Sequence, residues 1–360
     1  MIRPLYLMQI IFCCPKYWIK DNKISPNKYL LNILSFCFII IGIAGNSYRF
    51  YEDINESKVW QRKPVIDCLF KSGSLVSIII GFLIHCRTTV FYSNNIVMFF
   101  IKIITIHKFL NNEIEFKRST IYIWIKVIIF FCYESFVVLF ICLSLGLFMY
   151  HIICGFLLVS FDANVLYAFM LIQILKNKVD LWNTEHYKLE AMNDSDRKVY
   201  CERLYQAFVN IMDCYEQYCI CFQQVIASHC VFSFIGILHC FQKGLEHVEY
   251  DLGTLSLVKI TAINMVRITK DFVLEILLSL ELQKFYVSLN KTQDVCALIL
   301  LSNNYTDGEK RLYKNIKRLY RYKFHKLNAC RMFYVDAMLP FDIIMLTSNY
   351  CIVLLQFALL

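Results

Sequence analysis

The chain has little of what punctuates a folded soluble protein. It carries 10 Gly and 5 Pro in 360 residues, and only 18% of its residues are charged, against roughly a quarter in soluble domains. Apolar residues take their place: 58% of the chain is hydrophobic, with 30 Phe and a mean hydropathy of +0.50. A water-soluble domain is thereby excluded. A membrane β-barrel is excluded as well, because its strands would alternate apolar and polar residues, and this chain runs in long unbroken apolar stretches. No Walker loop, dinucleotide-binding glycine pattern, HExxH or GxSxG is present, and the 8 His are scattered, so no enzyme is expected. The 17 Cys form no paired CxxC sets and have no accompanying His spacing, which argues against zinc. Cys37, Cys132, Cys142, Cys154 and Cys230 lie inside apolar runs, where Cys behaves as a small hydrophobe. No metal or cofactor is expected.

The expected fold class is all-α, a polytopic membrane protein with seven transmembrane helices and the N-terminus inside. Residues 1–28 read as a cytosolic segment, 29–289 as six spans with cytosolic helical extensions, 290–334 as a cytosolic basic segment and 335–360 as a last span. The first span is Tyr29 to Asn46, followed by a polar loop to Pro64, and the second is Val65 to His85. Arg87 to Thr120 reads as the end of helix two plus a loop, since Lys102, His107 and Lys108 interrupt its apolar patch. Ile121 to Leu175 is too long for one span and must turn near Gly146 to His151, giving spans three and four. Span five is Cys219 to Phe241 and span six runs from Thr254 to about Leu289. Leu312, Tyr313, Ile316, Leu319 and Tyr320 make the basic stretch Glu309 to Lys326 an amphipathic helix. Val199, Leu204, Phe208 and Ile211 do the same for the polar stretch before span five.

Loop charge sets orientation. The N-terminal segment and the second, fourth and sixth loops are basic, the last with Lys310, Arg311, Lys314, Lys317, Arg318, Arg321 and Lys323 among others. The third loop is uncharged, and the fifth has Lys243 against Glu246, Glu249 and Asp251. The N-terminus is expected inside and the C-terminus outside, the reverse of a G-protein-coupled receptor. The chain also lacks an Asp/Glu-Arg-Tyr triplet after span three and an Asn-Pro-x-x-Tyr in the last span. A transporter is disfavoured by the absence of internal repeats and broken glycine-rich helices. Of the sequons at Asn55, Asn193 and Asn304, only Asn55 falls in a loop expected outside, so it is the glycosylation candidate.

The last span, Met338 to Leu360, carries a tyrosine and a glutamine where unpaired polar groups are costly. At 3.6 residues per turn, Leu346, Tyr350, Val353, Gln356 or Phe357, and Leu360 fall on one stripe. Asn349-Tyr350-Cys351-Ile352-Val353-Leu354-Leu355-Gln356-Phe357 resembles the C-terminal TYhhhhhQF signature of insect gustatory receptors, with Asn349 in the place of threonine. Asn328-Ala329-Cys330-Arg331-Met332-Phe333-Tyr334-Val335-Asp336 is similar to that family's TACGFFxLD lead-in, with Arg331 in the place of glycine. Leu175 to Asn183 resembles its Leu…Asn element after the fourth helix.

The resemblance implies a plasma-membrane, tastant-gated cation channel of sensory neurons, a homo- or hetero-tetramer embedded in membrane lipids, with no nucleic-acid partner. It implies a pore lined by the last helix, with Gln356 at a constriction, Val353 or Phe357 as an apolar gate and Tyr350 bonding a neighbouring helix. The other use for Gln356 is a hydrogen bond between helices. A ligand pocket is expected toward the outer half of the bundle, with Glu134 and Arg267 as its leading candidates and Asp67, Trp124, Tyr133 and Asn264 beside them. Asp67 is also placed to pair with Lys71, and Asp162, Lys259, His151 and His229 also lie in or near spans. Arg267, Lys270, Asp271 and Glu275 are expected to form solvated or cytosolic pairs. An odorant-receptor subunit and a G-protein-coupled seven-helix receptor are the alternatives.

Overall fold

The computed structural model describes the chain apart from residues 1, 13, 22, 61–63, 111–112, 147–148, 186–187, 190–191, 250–253, 303–304 and 360, and apart from the side chains of residues 53, 56–60, 64–67, 113–116, 145, 149, 194–195, 246–249, 254–260 and 357–359. It is 88% helical, as the scarcity of Gly and Pro requires. The order is α1 (Ile2–Ile11), a hairpin β1 (Trp18–Lys20) and β2 (Lys23–Ser25), α2 (Tyr29–Trp60), α3 (Pro64–Cys86), a π-helical turn Arg87–Phe91, and α4 (Ser93–Leu110). Then follow α5 (Glu113–Leu145), α6 (Met149–Glu185), α7 (Asp194–Glu249), α8 (Thr254–Leu301), α9 (Asp307–Lys323), a hairpin β3 (Asn328–Ala329) and β4 (Phe333–Tyr334), and α10 (Leu339–Leu359).

Six described helices are long and apolar enough to cross a bilayer: Tyr29–Glu52, Cys68–Phe91, Lys117–Ser144, Tyr150–Glu185, Asp196–Leu245 and Leu339–Gln356. The expected sixth span lies in α8, which at 48 residues is long enough but carries Arg267, Lys270, Asp271, Glu275 and Glu281. Lipid-facing surfaces are recognisable as bare apolar side chains, such as Ile40, Ile41, Leu83, Ile128, Ile129, Phe136 and Leu143. Between α2 and α3 the backbone comes close to an aromatic ring: a Cβ at Gly42 would lie 2.4 Å from the Phe82 ring, so only glycine fits. The α5–α6 turn forms at the expected place, with Gly146 at φ +62.

Three expectations need correction. Arg87 to Thr120 is not mainly loop: α4 occupies Ser93–Leu110 and buries Ile96, Val97, Phe99, Phe100, Ile103, Ile106 and Leu110 against the long α7 and α6. The lysine that seemed to break its apolar pattern is paired, Lys102 with Asp213 of α7. The segment holding Asn55 is not a loop but the last turns of α2, with Asn55 exposed. Val199 is 51% exposed and does not join Leu204, Phe208 and Ile211 in the core.

At the end of the bundle where the basic segment lies, α9 packs across α7 and α8. Thr306 and Glu309 form a reciprocal capping box at its start, which satisfies two backbone donors that a helix end otherwise leaves bare. Glu309 also takes Arg197 Nε at 2.6 Å, and Lys323 Nζ reaches Asp213 Oδ1 at 2.5 Å and Glu216 Oε2 at 3.1 Å. The hydrogen bond to Asp213 holds the Lys323 ammonium above the usual lysine range. Asn183 Nδ2 donates to Ser288 O at 2.9 Å and Asn183 Oδ1 accepts from Thr292 Oγ1 at 2.7 Å, tying α6 to α8. Tyr286 OH donates to Val335 O at 3.1 Å and accepts from Leu327 N at 3.0 Å, fastening the β3–β4 hairpin ahead of α10.

That hairpin turns through Cys330 (φ 54) and Arg331 (φ 64), with Met332 N donating to Ala329 O at 3.0 Å. Two successive left-handed residues are the I′ pattern, which favours glycine or asparagine. An arginine there carries a backbone cost of about 1–2 kcal/mol. Replacing Arg331 by glycine is therefore expected to stabilise the purified protein by about 1 kcal/mol, read as a rise in its thermal unfolding midpoint in detergent; a fall would contradict the strain.

Candidate functional site

The largest concentration of buried charge sits where α5, α6, α7 and α8 meet. The Lys270 ammonium is ion-paired with Asp162 Oδ2, lies 3.5 Å from Asp271 Oδ1 and 3.7 Å from Glu134 Oε2. His229 lies between two carboxylates, its Nε2 at 3.2 Å from Asp162 Oδ1 and its Nδ1 at 3.3 Å from Glu275 Oε1. Glu134, Asp162, His229, Asp271 and Glu275 are all 4% exposed or less. Each helix contributes through simple spacing: Lys270 and Asp271 are adjacent on α8, and Glu275 lies one turn beyond Asp271 on the same face.

Four carboxylates thus face one ammonium and one imidazole. Glu134 Oε1, Asp271 Oδ1 and both Glu275 oxygens are buried without a hydrogen-bond partner. Charge buried in an apolar bundle is expensive unless paired, so the cluster needs Lys270 in place. Asp162, His229 and Asp271 offer one ligand atom each, all within 4.8 Å of one another, a carboxylate and imidazole set of the kind that suits zinc or manganese. The ammonium already lies against the oxygens of both aspartates, and the arrangement as it stands is an internal ion cluster.

Beside it, Ser77, His85, Asn164, Ser228 and His229 line a cavity of about 20 Å³, room for a water molecule and far too small for a tastant. The N-terminal segment closes this region. Lys16, 1% exposed, bonds Asn164 Oδ1 and lies 5.0 Å from the Tyr167 ring centre, while Asn164 Nδ2 is 2.8 Å from His85 Nδ1. Burial pushes the Lys16 ammonium below the usual lysine range.

The structure brings only part of the expected pocket together. Glu134 is in the cluster, but its partner is Lys270. Arg267 is half-buried over the Phe232 ring at 5.4 Å. Asn264 and Trp124 are half-buried, and Tyr133, next to Glu134 on α5, is 41% exposed at the edge of the cluster, within reach of its charges. Asp67 and Phe357 have side chains outside the described residues. Lys270, Asp271 and Glu275 were expected in solvated or cytosolic pairs; they are paired, but covered by α6 and α7 and not solvated. Composition signalled each as an unusual charge within a span, but their mutual proximity joins residues over a hundred positions apart.

The last helix is the second candidate. Leu339, Ile343 and Thr347 are buried against α7 and α8, and Tyr350 lies 5.5 Å from the Phe234 ring centre while half exposed. Asp342, Asn349 and Gln356 are exposed and lie seven apart, on the side turned away from that packed face. Gln356 and Tyr350 are about 120° apart around the axis and do not share a stripe. Val353 is 43% exposed between them. No protein-family model matches the chain, and no curated protein matches its sequence.

Replacing Lys270 by methionine leaves Asp162, Asp271 and Glu134 without their cation. The expected loss is about 3–5 kcal/mol, seen as a lower unfolding midpoint in detergent, and adding Asp162→Asn should recover part of it. An unchanged midpoint for Lys270→Met would mean that the cluster is not closed in solution.

Proposed function

We propose that the chain is a subunit of a ligand-gated cation channel of the insect gustatory receptor type, a plasma-membrane tetramer opened by a small extracellular tastant. The observation that carries this is the position of Gln356. It is exposed on a membrane-crossing helix, on the side opposite the face that packs on α7 and α8. An amide turned to hydrocarbon is costly. Asn349 and Asp342 repeat the cost on the same side at intervals of seven residues.

Copies of α10 around a water-filled axis would relieve all three, and a ring of amides is one way to hold a permeating cation. The tail and lead-in motifs support the same assignment. In this proposal α8 is a seventh span. Its charges disqualify it by composition alone, but Lys270, Asp271 and Glu275 face the bundle interior, where paired charges are tolerated. The ion cluster then lies beneath the expected ligand pocket and holds α5 to α8 in register.

Cysteine replacing Gln356 tests the axis in membranes of cells expressing the full chain. Oxidation is expected to link copies through position 356, and to do so much less through Ile344→Cys, whose side chain is exposed on the flank; the parent chain supplies the background from its own thiols. Equal linking at both positions, or none at 356, would contradict a central α10.

A further inference from the structure

Between α3 and α7, on the bilayer side of the bundle, runs an open groove of about 420 Å³. Ile80, Leu83 and Ile84 form one wall, Ala227 and Val231 the other, and the β3–β4 turn closes its lower end through Met332. From Ser77 at its top to Arg87 at its mouth is ten residues of helix, about 15 Å, or half of a ~30 Å hydrocarbon core. It therefore spans one leaflet. Its elongated, open and mostly apolar lining suits one acyl chain.

The mouth is basic. Arg87 is exposed and lies over the Tyr92 ring at 5.3 Å. Arg331 is exposed at the tip of the turn, flanked by Cys330 and Met332, which both line the groove. No carboxylate lies among the groove-lining residues, and no ion pair is formed by either arginine among the described residues. Arg331 also occupies a left-handed position (φ 64) that favours glycine. Backbone strain that the surrounding fold tolerates is a pointer to use: here it places a guanidinium beside the mouth of the groove.

We propose that an anionic phospholipid binds in this groove, one acyl chain between α3 and α7 and its phosphate against Arg87 and Arg331. A second copy of the chain fits poorly as the occupant, because the chain carries a net charge of +9 and the mouth is basic. The site requires only that the helices span a bilayer. It does not depend on the gating proposed above, and a silent or inactive channel leaves it testable.

The test is native mass spectrometry of the full chain titrated with dioleoyl phosphatidylserine or dioleoyl phosphatidylcholine. The serine lipid is expected to bind on the order of tenfold tighter. Combining Arg87→Gln with Arg331→Gly should weaken phosphatidylserine more than phosphatidylcholine and so bring the two lipids to parity, and Ile84→Trp, which fills the groove, should weaken both. Equal binding by the parent chain, or a preference that survives the double variant, would overturn the proposal.

A readout on the parent chain alone covers the case of a variant that fails to fold. Cys330, exposed at the lower end of the groove, should react more slowly with maleimide in nanodiscs containing phosphatidylserine than in pure phosphatidylcholine. Equal rates would overturn the site, and so would ready Cys330-to-Cys330 crosslinking between copies, which would place a second copy in the groove.

Discussion

The placement of the Lys270 ammonium constrains the rest of the bundle. Asp162 on α6, Glu134 on α5 and Asp271 on α8 all depend on that one cation, and His229 on α7 bridges Asp162 to Glu275. Apolar contacts between membrane helices are weakly directional, since lipid tails offer the same surroundings. Paired charges are directional, because a shift of one helical turn would strand a carboxylate in an apolar interior. The cluster therefore fixes the register of four helices in a way that their leucines and isoleucines do not.

The end of the bundle that carries α9 is built differently. There ion pairs and side-chain hydrogen bonds between distant segments hold the helices: Arg197 with Glu309, Lys323 with Asp213, Asn183 with Ser288, and Tyr286 with both ends of the β3–β4 hairpin. The hairpin joins this base to α10. A movement of α8 relative to α7 would reach α10 through Tyr286 and Val335, and so connect the level of the ion cluster to the exposed face of the last helix. The same hairpin carries a backbone cost at Arg331.

Much of this was legible in the residues. The six apolar helices, the turn at Gly146 and the amphipathic α9 follow from hydropathy, one glycine, and the spacing of Leu312, Tyr313, Ile316, Leu319 and Tyr320. What was not legible depended on distant partners. Lys102 read as a break in α4 because Asp213, which neutralises it, is 111 positions away. Lys270, Asp271 and Glu275 read as solvated or cytosolic pairs because nothing in α8 itself shows that α6 and α7 cover them. Lys16, in a segment without an obvious anchor, gave no sign that it would be buried against Asn164 and Tyr167. Charge in a membrane segment announces that a partner exists, and periodicity places it on a face, but the partner's identity comes only from the fold.

Whether α8 crosses the membrane decides between six spans and seven, and with it the orientation of α10, the leaflet that the lipid groove faces and the side from which a ligand enters. Short epitopes placed before Met1 and after Leu360 of the full chain, probed with antibody on intact and then permeabilised cells, measure this directly. Seven spans with the basic loops inside predict staining of the second epitope on intact cells and of the first only after permeabilisation. Both epitopes appearing on the same side would contradict the account.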